Sequence, residues 1–167
     1  MPQNQTAYTM QCRSETMYSK KFQRGMPMFK TKSEHIDALA ASFVNRPERY
    51  DVVVASNLFG DILMDIGAAI MGSIGIAPSA NLNLNGKYSS MFDPVHGSAP
   101  DIVGKGIANP VGQIWTAKMM MDHFGYEDIS KHLLDAIEDT LREGIMTPDV
   151  GGTSSTEEVT SSILGKL

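Results

Sequence analysis

A short β-branched run that passes almost directly into a helical pattern constrains the fold of this chain more than any other feature. Residues 51–55 read Asp-Val-Val-Val-Ala, which is typical of a strand buried on both faces. A helix is expected to begin near Leu58 and to run through Met71, before the glycines at positions 72 and 75. A strand followed at once by a helix indicates an α/β fold.

Further helix signals lie on both sides of this unit. Ser33 is the expected N-cap of a helix over residues 34–44, which Pro47 closes. Residues 76–109 are rich in Gly, Pro, Asn and Ser, and they predict loops around short strands, with residues 88–92 as the favoured strand. The first half of the chain is therefore expected to mix two helices with few strands.

Three more helices are predicted over residues 110–164. The Asn-Pro pair at 109–110 is a helix start, and Gly125 ends that helix. The next helix stops at Gly144 and carries apolar residues at steps of four, namely Ile129, Leu133, Ile137 and Leu141. Residues 155–158 read Ser-Thr-Glu-Glu, a capping box that opens the last helix.

Composition limits the class of protein. At 167 residues and 42% apolar, the chain is large enough for one domain with its own core. Its single cysteine, Cys12, excludes an intramolecular disulfide and a thiolate metal cage. No apolar run is long enough to cross a bilayer, and there is no secretory apolar region. We therefore expect a cytoplasmic protein with no membrane partner.

Charge is unevenly distributed along the chain. The net charge of −5 argues against nucleic acid as a partner. Residues 1–33 hold six Lys and Arg and one acid, whereas the remainder holds eight Lys and Arg and eighteen acids. We expect this basic N-terminal segment to be a solvated tail or loop. A mitochondrial presequence is the alternative, although no clear amphipathic helix supports it.

Acidic residues on the predicted helices form one candidate site. Asp61 and Asp65 are four residues apart, so their side chains share one helix face, with Cβ atoms about 5–6 Å apart. Hard cations such as Mg²⁺ or Mn²⁺ take oxygen ligands of this kind. A third carboxylate, Asp37, lies on the preceding predicted helix. The spacing alone leaves open that all three are solvated surface acids.

Small residues over positions 92–110 form a second candidate site. They would let a ligand approach the backbone closely, and the Ser, Asp and Asn side chains among them offer hydrogen-bonding groups. Gly104 and Gly106 lack the third glycine and the leading strand of a dinucleotide fingerprint, which excludes a standard Rossmann turn. On composition alone, a tight surface loop is an open alternative.

Several ordered motifs resemble the isocitrate/isopropylmalate dehydrogenase family of β-decarboxylating dehydrogenases. They lie at residues 51–65, 75–81, 96–101, 106–110 and 147–153. The motifs Ser-Asn-Leu-Phe-Gly-Asp and Gly-Ile-Ala-Pro-Ser-Ala-Asn are most similar to those of the tartrate/D-malate branch. The resemblance implies oxidative decarboxylation of a 2-hydroxy acid of the tartrate, D-malate or 3-isopropylmalate type.

The resemblance also divides the chain. Residues 1–33 match the family poorly, whereas residues 34–167 match the C-terminal portion of its two-domain fold. Within that portion, metal helices are implied at 34–71, an NAD loop at 92–110 and C-terminal helices at 110–164. We expect an incomplete α/β fold of the isocitrate/isopropylmalate dehydrogenase type, with strand edges and apolar helix faces left uncovered.

Metal and partner follow from the same resemblance. Asp37, Asp61 and Asp65 match the family's metal-binding aspartates, and the implied ion is Mg²⁺ or Mn²⁺, a Lewis acid at the C2 oxygen of the substrate. In the family's dimers this site spans the interface. The resemblance thus implies a homodimer in which Asp37 of one subunit joins Asp61 and Asp65 of the other around a small 2-hydroxy acid.

The implied cofactor is NAD, and the loop would bind its adenosine end. The matching residues are His96, Gly97, Ser98, Ala99, Asp101 and Asn109. Asp101 stands where NAD-dependent members place a carboxylate on the ribose hydroxyls. Because such a carboxylate repels a 2′-phosphate, we expect NAD rather than NADP.

Departures from the family pattern lead to competing hypotheses. Lys20 or Lys21 is the candidate for the catalytic lysine, at shorter spacing from the following Met-Pro pair than the family has. Asp93 replaces the family's usual glutamate. The substrate-clamping arginines and proton-donating tyrosine belong to a half that we expect to be absent. A catalytically inactive fragment or assembly module that retains NAD-binding and dimer surfaces is therefore the alternative, and an α/β domain with solvated acids is the third hypothesis.

Overall fold

The computed structural model describes residues 6–11 and 30–167 of the chain. The chain divides into two compact units, Met1–Ile70 and Met71–Leu167. Helices and strands occur in both units, which confirms the expected mixed α/β class. No helix in the described part of the chain is long and apolar enough to cross a membrane.

The described residues of the first unit form a parallel sheet and two helices. Its strands are β1 (Thr6–Gln11), β2 (Lys30–His35) and β3 (Val52–Val54), in the order β2-β1-β3. Its helices are α1 (Ile36–Asn45) and α2 (Asn57–Met71), with a 3-10 turn at Pro47–Arg49. The predicted succession of β3 and α2 is confirmed.

The predicted start of α1 is wrong. Residues 30–35 form β2, and the helix begins at Ile36 after His35, whose side chain makes no cap hydrogen bond. All six residues of β2 pair with β1, so hydrogen bonds between strands override the preference of Ser33 for a helix cap. The expectation of a tail or loop over residues 1–33 is also wrong where these two strands form.

Apolar side chains of the first unit are incompletely covered. Leu39 and Leu63 are its buried centre, and Val53 packs against them. The expectation that β3 is buried on both faces is wrong, since Val52 and Val54 are 49% and 37% exposed. β3 is an outer strand of its sheet, so the described residues pair with only one of its edges. An edge without a partner among the described residues agrees with the expected uncovered edges.

The second unit is mainly helical. It contains α3 (Val111–His123), α4 (Glu127–Arg142), α5 (Thr156–Leu164) and a two-stranded antiparallel pair, β4 (Ala80–Asn81) with β5 (Met91–Phe92). The strand expected at 88–92 is thus confined to its last two residues. The buried core of the second unit is formed by residues from the 3-10 turn Ile74–Ile76 and from all three helices, namely Ile76, Val111, Ala136, Ile137, Val159 and Ile163.

Helix ends in this unit follow the predicted signals. The amide of Val111 donates to Asn109 Oδ1 at 3.0 Å, and Gly125 adopts φ of 79° just beyond α3. The capping box between Ser155 and Glu158 is present in both directions. The predicted apolar stripe of α4 is wrong at Ile129, which is half exposed, because steps of four drift by about 40° per step around a helix.

Candidate functional site

The three predicted metal ligands lie on the helices of the first unit. Asp37 is in the first turn of α1, and Asp61 and Asp65 lie about one turn apart on α2. All three side chains are exposed. The Asn57 side chain donates from Nδ2 to Asp61 Oδ2 at 3.3 Å, and Asp37 Oδ1 accepts from the Ala38 amide at 2.7 Å. Each carboxylate therefore keeps lone pairs available to a ligand.

These carboxylates do not converge within one chain. Residues 6–11 and 30–167 contain no group of three His, Cys, Asp or Glu side chains placed to hold a metal ion. None of their basic side chains forms a salt bridge with Asp37, Asp61 or Asp65. The all-oxygen donors suit a hard divalent cation. A site shared between two subunits stays a prediction.

A carboxylate that the sequence did not indicate fixes the junction between β2 and α1. Glu34 Oε1 pairs with Lys32 Nζ at 2.7 Å and with Arg49 Nη2 at 2.8 Å, and Tyr50 donates its hydroxyl to Glu34 Oε2 at 3.0 Å. The Glu34 side chain is only 10% exposed. These contacts connect the end of β2 to the 3-10 turn that follows α1. Glu34 lies three residues before Asp37, so the same contacts hold the chain close to this candidate ligand.

The charge of Glu34 is maintained by its partners. Burial acts to raise its pKa, but the hydrogen bonds from Lys32 and Tyr50 and the charge of Arg49 outweigh burial and leave the pKa below its ordinary value. Burial also raises the pKa of the Tyr50 hydroxyl, and the neighbouring Glu34 raises it further. Lys32 and Glu34 share a face only on a strand, so the helix predicted from Ser33 concealed this pair.

The second candidate site is a cleft of about 570 Å³ within the second unit. It is lined by the turn at 73–75, by the segments 96–99, 102–104 and 106–109, and by Asp149. Five of the six residues predicted to bind the cofactor line it: His96, Gly97, Ser98, Ala99 and Asn109. A volume of this size is in the usual range of about 300–1,000 Å³ for small-molecule sites. The predicted loop is therefore a concave surface and not a flat one.

Backbone geometry shapes this cleft. Ala99 has φ of 40°, a left-handed conformation that residues with a side chain rarely adopt. Gly104 and Gly106 are also left-handed, with φ of 76° and 65°, where glycine has no steric penalty. These three residues let the chain turn around the cleft between residues 99 and 106, where it forms a 3-10 turn but no strand or α-helix.

Asp149 is a cleft residue that sequence analysis missed. Its Oδ2 accepts from Asn109 Nδ2 at 3.0 Å, and its Oδ1 accepts from Thr147 Oγ1 at 2.6 Å. A Cβ at Gly75 would lie 2.8 Å from Asn109 Cβ and 3.0 Å from Asp149 Oδ2, so this close approach requires glycine. The sequence separation of 40 residues between Asn109 and Asp149 left no local signal of the contact.

Hydrogen bonds keep the Asp149 carboxylate charged. Burial acts to raise its pKa, but hydrogen bonds from Ser73, Thr147 and Asn109 outweigh burial and leave the pKa below its ordinary value. The cleft therefore carries one negative charge beside Asn109 near neutral pH. Among the described residues that line it, none is Lys or Arg.

Four other predicted residues lie away from this cleft or outside the described residues. Asp101 is exposed in the 3-10 turn Pro100–Ile102 and is not among the residues that line the cleft. Asp93 is also exposed, and its amide donates to the Ser79 carbonyl at 3.2 Å. The candidate catalytic residues Lys20 and Lys21 lie outside the described residues, as does Cys12.

The chain belongs to the isocitrate/isopropylmalate dehydrogenase family. The model of that family, described as isocitrate/isopropylmalate dehydrogenase, matches residues 6–163, which confirms the resemblance that the motifs carry. The match begins within the basic N-terminal segment.

Individual relatives indicate the branch. The chain is 65% identical over 137 residues to a probable tartrate dehydrogenase/decarboxylase of Bacillus subtilis (strain 168), covering 82% of this chain and 39% of that protein. It is 51% identical over 142 residues to a D-malate dehydrogenase [decarboxylating] of Escherichia coli (strain K12), covering 82% of this chain and 39% of that protein. It thus spans about two fifths of the length of these curated relatives.

A solved structure supports the fold. The isocitrate dehydrogenase of Methylococcus capsulatus superposes with a TM-score of 0.90 at 31% identity, covering 97% of this chain and 50% of that one. The expected fold, a part of the isocitrate/isopropylmalate dehydrogenase type, is therefore confirmed.

Proposed function

We propose that this chain serves an NAD- and divalent-metal-dependent oxidative decarboxylation of a 2-hydroxy acid of the tartrate, D-malate or 3-isopropylmalate type. The observation that carries the proposal is the cleft of about 570 Å³ lined by five of the six residues predicted to bind NAD. The names of the relatives, tartrate dehydrogenase/decarboxylase and D-malate dehydrogenase, favour the first two substrates.

The chemistry of the cleft favours the adenosine end of NAD. Glycines and alanines among its lining residues leave room for a ring to approach the backbone. Asn109 and Ser98 offer hydrogen-bonding groups. The charged Asp149 carboxylate would repel a further negative charge on the ligand, such as a 2′-phosphate. With no Lys or Arg among the described lining residues, a 2′-phosphate would have no counter-charge there, so NAD is preferred to NADP. Asp101 stays the proposed partner of the ribose hydroxyls.

The proposed metal site needs two copies of the chain. Asp37 of one subunit and Asp61 with Asp65 of the other would hold Mg²⁺ or Mn²⁺ in a homodimer. Exposed carboxylates without salt-bridge partners among the described residues support this assignment, because they can accept a cation without breaking an ion pair. Acceptance of hydride by the nicotinamide and polarisation of the substrate C2 oxygen are the chemistry that the two groups supply when bound.

A Mn²⁺ titration of Asp61→Asn tests the metal assignment. The variant should bind Mn²⁺ at least about tenfold more weakly, since one of three charged ligands is lost. Asp128→Asn is a matched control, because Asp128 is also an exposed helical aspartate without a salt bridge to the described residues. Equal Mn²⁺ affinity of Asp61→Asn and Asp128→Asn refutes the site.

The alternative is an assembly module that binds NAD and a second subunit without catalysis. The cleft favours it, because its lining residues all lie in the second unit and include none of the three carboxylates. NADH formation with D-malate, tartrate and isopropylmalate discriminates the two functions. Turnover of any of these substrates supports the enzyme, whereas NAD binding without turnover supports the module. Binding of neither NAD nor Mn²⁺ supports the third hypothesis, a domain with solvated acids.

A further inference from the structure

We propose that Thr156 is a positioning residue that holds the cleft wall, defined here as residues 106–109. The amide of Thr156 donates to the Gly106 carbonyl at 2.8 Å. Its hydroxyl donates to the Ala108 carbonyl at 2.6 Å. Gly106 and Ala108 line the cleft, whereas Thr156 does not. Thr156 thus acts on the cleft through the backbone that it holds.

The cleft wall needs support from outside itself. Residues 106–109 form neither helix nor strand, and Gly106 at their start adopts φ of 65°, a conformation open to glycine in unfolded chains as well. Such a segment has many accessible backbone conformations unless tertiary hydrogen bonds select one. The two bonds from Thr156 reach the wall from 48 and 50 residues further along the chain.

The first turn of α5 is a rigid support for these bonds. Ser155 and Glu158 cap the helix in both directions, which satisfies two of its free terminal groups. Val159 and Ile163, one and two turns further along the helix, are 0% and 1% exposed and belong to the core of the unit. Thr156 therefore connects an irregular segment to the buried core.

The opposite end of the cleft wall has its own attachment. Asn109 is held by Asp149 and by the amide of Val111. The hydroxyl of Thr156 makes the one side-chain hydrogen bond that the described residues donate to the wall at Ala108. Loss of that hydroxyl leaves the Thr156 amide as the remaining hydrogen bond from α5 to the wall. The segment around Ala108 should then loosen and weaken that bond, while Asn109 stays in place.

This inference rests on the proposed NAD site and adds a residue to it. If the adenosine end lies against the cleft wall, a wall that samples several conformations binds it only in some of them. The apparent dissociation constant rises in inverse proportion to the fraction of molecules whose wall is in the binding conformation. Thr156→Val keeps the branched shape but removes the hydroxyl, and Thr156→Ser restores it.

Thr160→Val is the matched control. Thr160 lies one turn further along α5, and its hydroxyl donates to the Thr156 carbonyl at 2.7 Å within the helix. Its substitution removes a comparable hydroxyl from the same helix without touching the cleft wall. An effect on α5 itself would appear in both variants.

The experiment combines hydrogen–deuterium exchange of the cofactor-free chain with NAD⁺ titration by calorimetry. In Thr156→Val the amide at position 156, which donates to the Gly106 carbonyl, should exchange at least about fivefold faster, because its acceptor lies in the loosened wall. The variant should bind NAD⁺ about tenfold more weakly. Thr156→Ser and Thr160→Val should resemble the unmodified chain in both measurements.

Exchange in Thr156→Val equal to that in Thr160→Val overturns the inference. Faster exchange with unchanged NAD⁺ affinity overturns it too, because the wall would then be held without serving the cofactor. If the unmodified chain itself binds no NAD⁺, the proposed function fails. The exchange comparison then still decides whether Thr156 holds the cleft wall.

Discussion

The described residues of the two units differ in how many apolar side chains they bury. In the second unit, six residues from one 3-10 turn and three helices form a buried cluster. Among the described residues of the first unit, the corresponding cluster has Leu39 and Leu63 as its buried members. Apolar residues of β3 and α2 are exposed there, among them Val52, Leu58 and Ile62.

The candidate sites differ in the same way. The cleft of the second unit is lined by residues of that unit alone, and its walls are held by internal hydrogen bonds. The carboxylates of the first unit are exposed and do not converge. The proposed NAD site can therefore form within one copy of the chain, whereas the proposed metal site requires the surface of a second copy.

Removal of a core side chain should have the largest effect. Ile137 is 1% exposed in the core of the second unit, so Ile137→Ala should lower the free energy of unfolding by about 3 kcal/mol. Ile62 of α2 is 43% exposed, and Ile62→Ala should change it by less than about 1 kcal/mol. Urea denaturation of both variants measures the contrast. A loss at Ile62 as large as that at Ile137 would show that another surface covers α2 in solution.

A polar cluster around Glu34 joins the end of β2 to the turn that follows α1. Glu34→Gln removes the charge that Lys32, Arg49 and Tyr50 surround. Because Glu34 is nearly buried and Lys32 is half exposed, the expected loss of unfolding free energy is about 1–2 kcal/mol. Urea denaturation near neutral pH measures it. A loss below about 0.3 kcal/mol would contradict the idea that this cluster fixes the start of α1.

The Asp149 carboxylate should make the second unit sensitive to acid. Asp149→Asn should lower the free energy of unfolding by about 1 kcal/mol near neutral pH, since Asn accepts fewer hydrogen bonds than a carboxylate. The folded pKa of Asp149 is depressed, so its stabilisation is complete above its unfolded pKa of about 4 and is lost as the pH falls through the folded value. Thermal unfolding of both proteins across this range measures the difference.

Convergence of the two unfolding free energies on acidification is the expected result. A difference that stays constant or grows below about pH 4 would contradict the assigned protonation state.

Asp61→Asn should have the smallest effect on stability. Removal of one of two like charges a turn apart on α2 should stabilise the metal-free chain by a few tenths of a kcal/mol, roughly 0.2–0.5. The same change should weaken Mn²⁺ binding. Urea denaturation with and without Mn²⁺ measures both effects. Destabilisation of the metal-free chain would show that the hydrogen bond from Asn57 to Asp61 outweighs the repulsion between the two carboxylates.

The sequence predicted the elements whose signals are local. Asn109, Gly125 and the box at 155–158 mark helix ends that the structure confirms, because caps depend on a few adjacent residues. β2 was missed because its partner β1 lies in a basic segment without an alternating pattern, and pairing between the two strands decides its conformation.

The candidate sites were predictable in part, and for the same reason. The loop of the cleft was found from motifs that are contiguous in the sequence. Asp149 and Thr156 were not, because each meets the cleft wall through contacts 40 or more residues apart. Glu34 was missed because its contacts depend on the strand that the serine signal concealed.

Calorimetric titration of the chain with NAD⁺ and with NADP⁺, both in the presence of a chelator, tests most directly whether the second unit carries a self-contained cofactor cleft. NAD⁺ should bind without metal, at least about tenfold more tightly than NADP⁺. Absence of NAD⁺ binding until Mn²⁺ is added, or tighter binding of NADP⁺, would contradict a metal-independent cleft that prefers NAD.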